Sequence, residues 1–400
     1  MKQQHVILRA SGPGAVASGF LAAAPTVVPG APRITSMDVE MEMLNAAGAA
    51  AAARHRDIAA VAPVMPVKLV EPLDAGLSAP ASAGPGWGVS AIGALASPFT
   101  GDGITVAVLD TGIDAAHPAF RGVLLVRKNF TATGGAGDVS DSHGHGTHCA
   151  GTIFGRDVNG VRIGVARAVR RALIGKVLGP GGGESGSIVR AIQWAVNEGA
   201  HVVSLSLGMD FPGYRRQLVE QAGLPDEAAT SLALEGYRLN VLLFERLARL
   251  VLSLGDFAQP TLLVAAAGNE SRANENPGFT IAVAPPAVSE GIVSVAALGR
   301  SGNGFTPAYF SNTGALLAAP GVAITSARAG GGLVSMSGTS MAAPHAAGAA
   351  ALWAQKLRAL GPVNTRILSA RLLASGTATG LAPGSSPADT GAGLVQAPQD

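Results

Sequence analysis

Three short stretches carry side chains that can do chemistry together. Val108-Leu109-Asp110-Thr111-Gly112-Ile113-Asp114 offers a carboxylate. Asp141-Ser142-His143-Gly144-His145-Gly146-Thr147-His148-Cys149-Ala150-Gly151 offers imidazoles, and Gly338-Thr339-Ser340-Met341-Ala342-Ala343-Pro344-His345 offers a hydroxyl among small residues. A serine hydroxyl is a weak nucleophile at neutral pH and needs a base within hydrogen-bond reach. An imidazole base needs a carboxylate to hold its tautomer and to stabilise the cation that forms. Acyl chemistry further needs donors for an oxyanion. Ala265-Ala266-Ala267-Gly268-Asn269 ends in a carboxamide, and the Ser340 backbone N–H is a second candidate donor.

Each stretch has a plainer explanation. Serine before a helix is a favoured N-cap. Asp110 is a turn former at a strand end, and Asn269 a turn residue after Gly268. His143, His145 and His148 suggest a metal, but only His145 and His148 have helical spacing, and no Glu lies between or just after them. No metal site is therefore expected. What favours the catalytic reading is the joint occurrence of all the parts, in the order Asp, His, Ser.

Side chains so far apart in the chain need a scaffold that gathers strand ends and helix starts. Ile104 to Leu109 is a continuous apolar run ending at Asp110. His201 to Leu205 ends at Ser206-Leu207-Gly208, and Thr261 to Ala265 ends at Gly268-Asn269; Ala172-Leu173-Ile174 and Ile292 to Ala296 are of the same kind. Such runs are strands buried on both faces of a parallel sheet. Helical segments between them, such as Ile188 to Glu198, give a doubly wound α/β domain: a mostly parallel sheet flanked by helices. Ligands of such sheets sit beyond the carboxyl ends of the strands, where Asp110, Ser206 and Asn269 fall.

The expected boundaries are a segment 1–35 without periodic signal, a small α+β unit at 36–72, a Pro/Ala/Gly/Ser linker at 73–86 and the main domain at 87–400. In the small unit Met37 to Met41 alternates as a strand, Leu44 to Arg54 reads as a helix, and Asp57 to Val70 as one edge strand punctuated by Pro63 and Pro66. A helical insertion is expected at about 209–260, with Leu232, Leu239, Leu242, Leu243, Leu247 and Leu250 on its packed face.

Composition removes several function classes. The chain is 48% hydrophobic and 14% charged, too apolar for disorder. A net charge of +2 without a basic patch gives no reason to expect a nucleic-acid partner. Cys149 is the sole cysteine, so there is no internal disulfide and no zinc-type cysteine spacing. No apolar run reaches membrane-spanning length. Met1 to His5 does not lead into a clear signal peptide, the nearest apolar stretch being Ala15 to Ala24; read from this start, the chain is expected in the cytoplasm.

The three stretches resemble the triad motifs of subtilisin-like serine peptidases. Trp87-Gly88-Val89, Lys176-Val177-Leu178-Gly179, Ser206-Leu207-Gly208, Ala319-Pro320-Gly321 and Thr390-Gly391-Ala392-Gly393-Leu394-Val395 extend the resemblance from about residue 85 to the end. The resemblance implies a serine endopeptidase acting on protein or peptide substrates, with no cofactor required for catalysis and a monomeric state. Asp110 would orient His145, His145 would serve as base and then acid, Ser340 would carry the acyl group, and Asn269 with the Ser340 N–H would hold the oxyanion. Substrate would lie as an added strand between Gly181-Gly182-Gly183 and Ser206-Leu207-Gly208. Ala266 and Gly268 would line the pocket before the cleaved bond, with Glu270 at its rim.

The resemblance also implies that residues 36–72 are an inhibitory prodomain of a zymogen, self-cleaved within the linker, and that the enzyme is secreted. A peptide ligase or macrocyclase on the same triad, and a catalytically dead binding protein, are the alternatives. The pattern departs from the family at its usual tight calcium site. Ala119 stands where relatives place an Asp, and Val158 where the loop Gly155-Arg156-Asp157-Val158-Asn159-Gly160 should supply an amide. That site is expected to be lost, with weaker structural calcium left open. The insertion leaves from a substrate-binding strand and is expected to roof one side of the cleft.

Overall fold

The computed structural model describes residues 2–11, 36–73, 77–78, 84–255, 260–302, 304–361 and 363–400. At the N-terminus, strands β1 (Gln3–Ser11), β2 (Ser36–Leu44) and β3 (Ile58–Pro63) form an antiparallel sheet in the order β2-β1-β3. Helix α1 (Ala46–Ala52) follows β2, capped by the Asn45 side chain on Gly48 N. The expected boundary at residue 36 is therefore wrong, because β1 is the central strand of this unit and pairs along its length with both neighbours. Val6, Leu8 and Ala10 alternate into its core, a pattern too short to stand out beside the Gly/Pro-rich residues that follow. The signal-like stretch Ala15 to Ala24 lies outside the described residues.

Asp57 to Val70 is not one strand. Proline cannot donate to a ladder, and the chain changes partners between Pro63 and Pro66. After β3 it leaves the sheet as β4 (Pro66–Leu69), which pairs with two strands of the main domain. Of the linker, 74–76 and 79–83 lie outside the described residues; β5 (Leu77–Ser78) and β6 (Gly84–Pro85) both pair with main-domain strands.

The main domain opens with α2 (Trp87–Ala91), β7 (Thr105–Asp110), β8 (Leu124–Asn129), α3 (His145–Phe154), β9 (Val161–Arg162), β10 (Arg171–Lys176), β11 (Gly183–Glu184), α4 (Ser185–Asn197), β12 (Val202–Leu205) and β13 (Leu207–Met209). It continues with α5 (Phe211–Glu220), α6 (Asp226–Gly255), β14 (Leu262–Ala266), β15 (Ile292–Ser301), β16 (Gly304–Pro307), β17 (Leu317–Pro320), β18 (Ile324–Ala327), β19 (Leu333–Met336), α7 (Thr339–Leu360), α8 (Thr365–Ala374) and α9 (Pro387–Thr390). The central sheet runs β16-β15-β14-β12-β7-β10-β8, with β17 also beside β15. All its pairings are parallel except β15 with β16. β7, β12 and β14 are buried at every residue, as expected for strands covered on both faces. From β7 the order runs to β10 and β8 on one side and to β12 and β14 on the other. This places the topological switch beside Asp110.

The insertion is two helices, and the packed face of the second includes only part of the expected leucine stripe. α6 buries Leu243, Leu247 and Leu250 together with Ala229, Ala233, Gly236 and Asn240, while Leu232 and Leu242 are exposed. Small residues let this face come close to the N-terminal unit. A Cβ on Gly236 would stand 3.5 Å from both Met65 and Pro63, and Asn240 Nδ2 donates to Pro63 O at 2.8 Å. The insertion thus packs against the N-terminal unit instead of roofing the cleft.

Candidate active site

Asp110 ends β7 and His145 begins α3, so sheet and helix together set their distance. His145 Nδ1 stands 2.7 Å from Asp110 Oδ1, with both side chains buried. Burial alone would lower the imidazole pKa. The Asp110 carboxylate more than offsets this, with a smaller contribution from Cys149, and holds it well above the ordinary value. Nε2 is buried and has no hydrogen-bond partner among the described residues, the Ser340 hydroxyl included. Cys149 lies beneath the ring, Sγ to Nδ1 3.8 Å, and burial raises its thiol pKa. The three histidines of the motif do not converge on a metal. His148 Nε2 contacts Ile324 O at 2.9 Å, and burial depresses its pKa to about 3. His143 stands at the rim, 3.5 Å from the Glu71 carboxylate.

Ser340 is not an N-cap. Gly338 occupies that position in α7, and Ser340 is the second helical residue, fully buried. Its hydroxyl donates to Val70 O at 2.9 Å. Pro344 sits beyond the first turn and lacks the N–H that would bond the Ser340 carbonyl. That carbonyl accepts instead from Ser206 Oγ and Cys149 Sγ, each at 3.3 Å.

Asn269 follows β14. Its Oδ1 accepts from Thr339 N and Thr339 Oγ1, both at 2.9 Å, which fixes the amide so that Nδ2 faces outward and donates to Glu71 O at 2.9 Å. Gly338 must lack a side chain, since a Cβ there would stand 2.9 Å from that Nδ2. Between the strands expected to hold an extended peptide lies β4. Val67 pairs with Gly183 and Met209, Lys68 with Gly208, and Leu69 with Leu207. A Cβ on Gly182 would come within 2.7 Å of Val67 O, Gly181 lines the same groove, and Gly208 faces the buried Val70. Ser206 acts on Ser340 through its hydroxyl, as above. Ala266 is buried at the end of β14. The Gly268 N–H donates to Thr339 Oγ1, and Asn312 fills the space beside it. Glu270, expected at the rim of the pocket before the cleaved bond, pairs with Lys68.

A sequence profile described as the subtilase family, peptidase S8, matches residues 101–393. The chain belongs to the subtilase family. It is 36% identical to subtilisin Savinase of Lederbergia lenta over 276 residues, covering 68% of this chain and 84% of that protein. An alkaline protease of Shouchella clausii is also 36% identical over 276 residues, 60% of its length. Subtilisin-like protease 1 of Trichophyton tonsurans is 35% identical over 289 residues, 47% of its length. This subtilase is accordingly a serine-type endopeptidase. No helix among its described residues is long and apolar enough to cross a membrane.

Motif reading missed the residues that lock the subtilase site together. The Thr111 hydroxyl donates to Asp141 Oδ1 at 2.8 Å and accepts from Gly146 N at 2.9 Å. Asp141 also accepts from Gly144 N, Thr147 N and Thr147 Oγ1 at 2.8, 2.8 and 2.6 Å. Burial opposes its charge, but these donors outweigh that and lower its pKa. This network clamps the start of α3 to the loop after β7, and so sets His145 against Asp110. The one sequence signal was the presence of Thr111, Asp141 and Thr147 within the quoted motifs.

Proposed function

We propose that this endopeptidase is made as a self-processing zymogen, whose N-terminal unit is both its inhibitor and its first substrate. The observation that carries the reading is the seat of β4: an extended strand between β11 and β13 that delivers the Val70 carbonyl to the Ser340 hydroxyl. Because the Ser340 hydroxyl meets the Val70 carbonyl, Val70 is taken as the residue before the cut, and the bond broken is Val70–Glu71. That lies two residues before the linker in which cleavage was expected.

In the reaction Ser340 Oγ attacks the Val70 carbonyl carbon while His145 Nε2 takes its proton. Asp110 holds the Nδ1–H and stabilises the imidazolium. Asn269 Nδ2, already aimed at the adjacent carbonyl, and the Ser340 N–H stabilise the oxyanion. His145 then protonates the Glu71 amine as the C–N bond breaks. Water, activated by the same base, releases Val70 from the acyl-enzyme. The small wall at Gly208 and the apolar, buried Val70 point to aliphatic residues before the cut.

The family's tight calcium is not part of this reading, because the residues do not fit it. Ala119 and Val158 offer no ligand side chain and are buried. The Arg156 guanidinium instead bonds the carbonyls of Phe154, Arg167 and Val169, placing a fixed cation between the end of α3 and the turn before β10.

The test is expression of the full chain beside Ser340→Ala. The wild type is expected to shorten to a species beginning at Glu71, found by N-terminal sequencing, and the variant to stay whole. A fluorophosphonate probe should label only the wild type. Equal sizes and no labelling would sink the reading. A product joined to an added amine, seen by mass spectrometry, would favour ligation over hydrolysis.

A further inference from the structure

The rim of the cleft carries charges that the chemistry does not use. In β4 and just after it, Val67, Leu69 and Val70 are buried, whereas Lys68, third before the proposed cut, reaches the rim. Its Nζ stands 3.5 Å from Glu270 Oε1 and 3.8 Å from Asp210 Oδ1. Neither carboxylate is a loose surface chain. Glu270 Oε2 accepts from Asn312 Nδ2 at 2.8 Å, and Asn312 Oδ1 in turn accepts from Glu270 N at 3.0 Å. Asp210 caps α5, its side chain accepting from Gly213 N at 3.1 Å. Both anions are therefore held in place before a cation arrives, which reduces the entropy lost on pairing. Among the described residues, Lys68 is the one cation within ion-pair distance of either. When β4 leaves, two fixed carboxylates face the groove without a counter-charge.

We propose that the processed cleft selects substrates with Lys or Arg three residues before the cut bond, and that Asp210 and Glu270 are the residues that select. The inference rests on the peptidase reading above and names the substrate class for that same site. Asp210 is where the insertion begins to depart from the substrate strand β13, so the element that supports the N-terminal unit also brings one of the two charges.

Partly exposed pairs are individually weak and screened by salt, but here two carboxylates act on one position. With peptides matching residues 66–73 and carrying Lys, Gln or Glu at the third place before Val–Glu, the processed enzyme should show kcat/KM in the order Lys, Gln, Glu. The Lys to Glu ratio should be about tenfold at low ionic strength. It should shrink in 0.5 M NaCl and approach one in the double variant Asp210→Asn, Glu270→Gln. Equal rates for Lys and Gln, or an unchanged ratio in the double variant, would overturn the proposal.

A second readout needs no catalysis. In full-length Ser340→Ala, amide hydrogen exchange at 67–69 should quicken with Lys68→Glu and slow again when Glu270→Lys is added. No quickening, or no recovery with Glu270→Lys, counts against the charge pairing. Loss of all cleavage and labelling with this pattern intact would instead mean that the peptidase reading is wrong.

Discussion

The floor and the rim of the cleft are built by opposite rules. At the floor Asp110, His145 and Ser340 are at most 2% exposed, with Thr111 and Asp141 clamping the start of α3 and Thr339 behind Asn269. At the rim, Lys68, Glu71, His143 and Glu270 are 38–68% exposed and meet at 3.5 Å or more. In the proposed reading, buried groups held by neighbouring hydrogen bonds carry the reaction, and solvated ones bias the choice of substrate by modest factors. The difference predicts a steep ranking of mutational effects.

The largest effect should come from Asp110→Asn. It keeps shape but offers the wrong tautomer partner to His145, and should lower kcat by about 10⁴-fold with folding intact, as checked by single-turnover kinetics and circular dichroism. Next, Asn269→Ala should cost about 10²–10³-fold in kcat, the scale known from a subtilisin, with little change in KM. A smaller loss in rate but a clear loss in stability is expected for Thr111→Val. It removes one donor to the half-buried Asp141 carboxylate and the acceptor of Gly146 N, costing about 1–3 kcal/mol by denaturant titration. If Thr111→Val matched Asp110→Asn in kcat, the division between reacting and positioning groups would be wrong.

Two pH profiles sharpen the same contrast. The His145 pKa is raised, and only its neutral form can take the Ser340 proton. The rate of self-processing should therefore climb with pH through a midpoint above the ordinary histidine value of about 6.5. His148, His201 and His345 are shifted the other way by burial, to about 3, 4 and 4. Their unfolded forms bind protons more readily than the folded ones. Stability is thus intact above about pH 6.5 and falls as the pH drops toward these lowered values, by up to about 1.4 kcal/mol per pH unit for each group. Melting curves between pH 7 and pH 4 test this, and a flat profile would contradict the neutral burial of these rings.

The parts of this subtilase legible in its sequence are those encoded by contiguous residues. Apolar runs such as Ile104 to Leu109 announced the parallel strands, and their ends located Asp110, Ser206 and Asn269. What stayed hidden depends on distant partners. Thr111 and Asp141 are thirty residues apart and meet only because α3 packs beside β7. The role of Pro344 became visible only when Ser206 and Cys149 were seen to take the carbonyl it leaves free. β1 reads weakly because nine residues carry little periodicity before a long Gly/Pro-rich run. The change of sheet between β3 and β4 was marked by Pro63 and Pro66, but prolines punctuate an edge strand equally well. The leucines of α6 marked only part of its packed face: Leu243, Leu247 and Leu250 are buried, but Ala229, Ala233, Gly236 and Asn240 complete it and Leu232 and Leu242 face solvent.

The chain beyond Val70 stays docked as well: Leu73 N donates to Ser337 O at 2.9 Å, and β5 pairs with β19. If Val70–Glu71 is cut as proposed, two unequal products would follow. One is a separate unit that dilution can remove. The other is the enzyme's own new N-terminus, tethered beside the leaving-group half of the cleft at an effective concentration on the order of millimolar, as for a short linker. An outside substrate would then compete with that tether for this half, and the affinity of the newly cut enzyme would be set by its own first residues until they are trimmed or displaced.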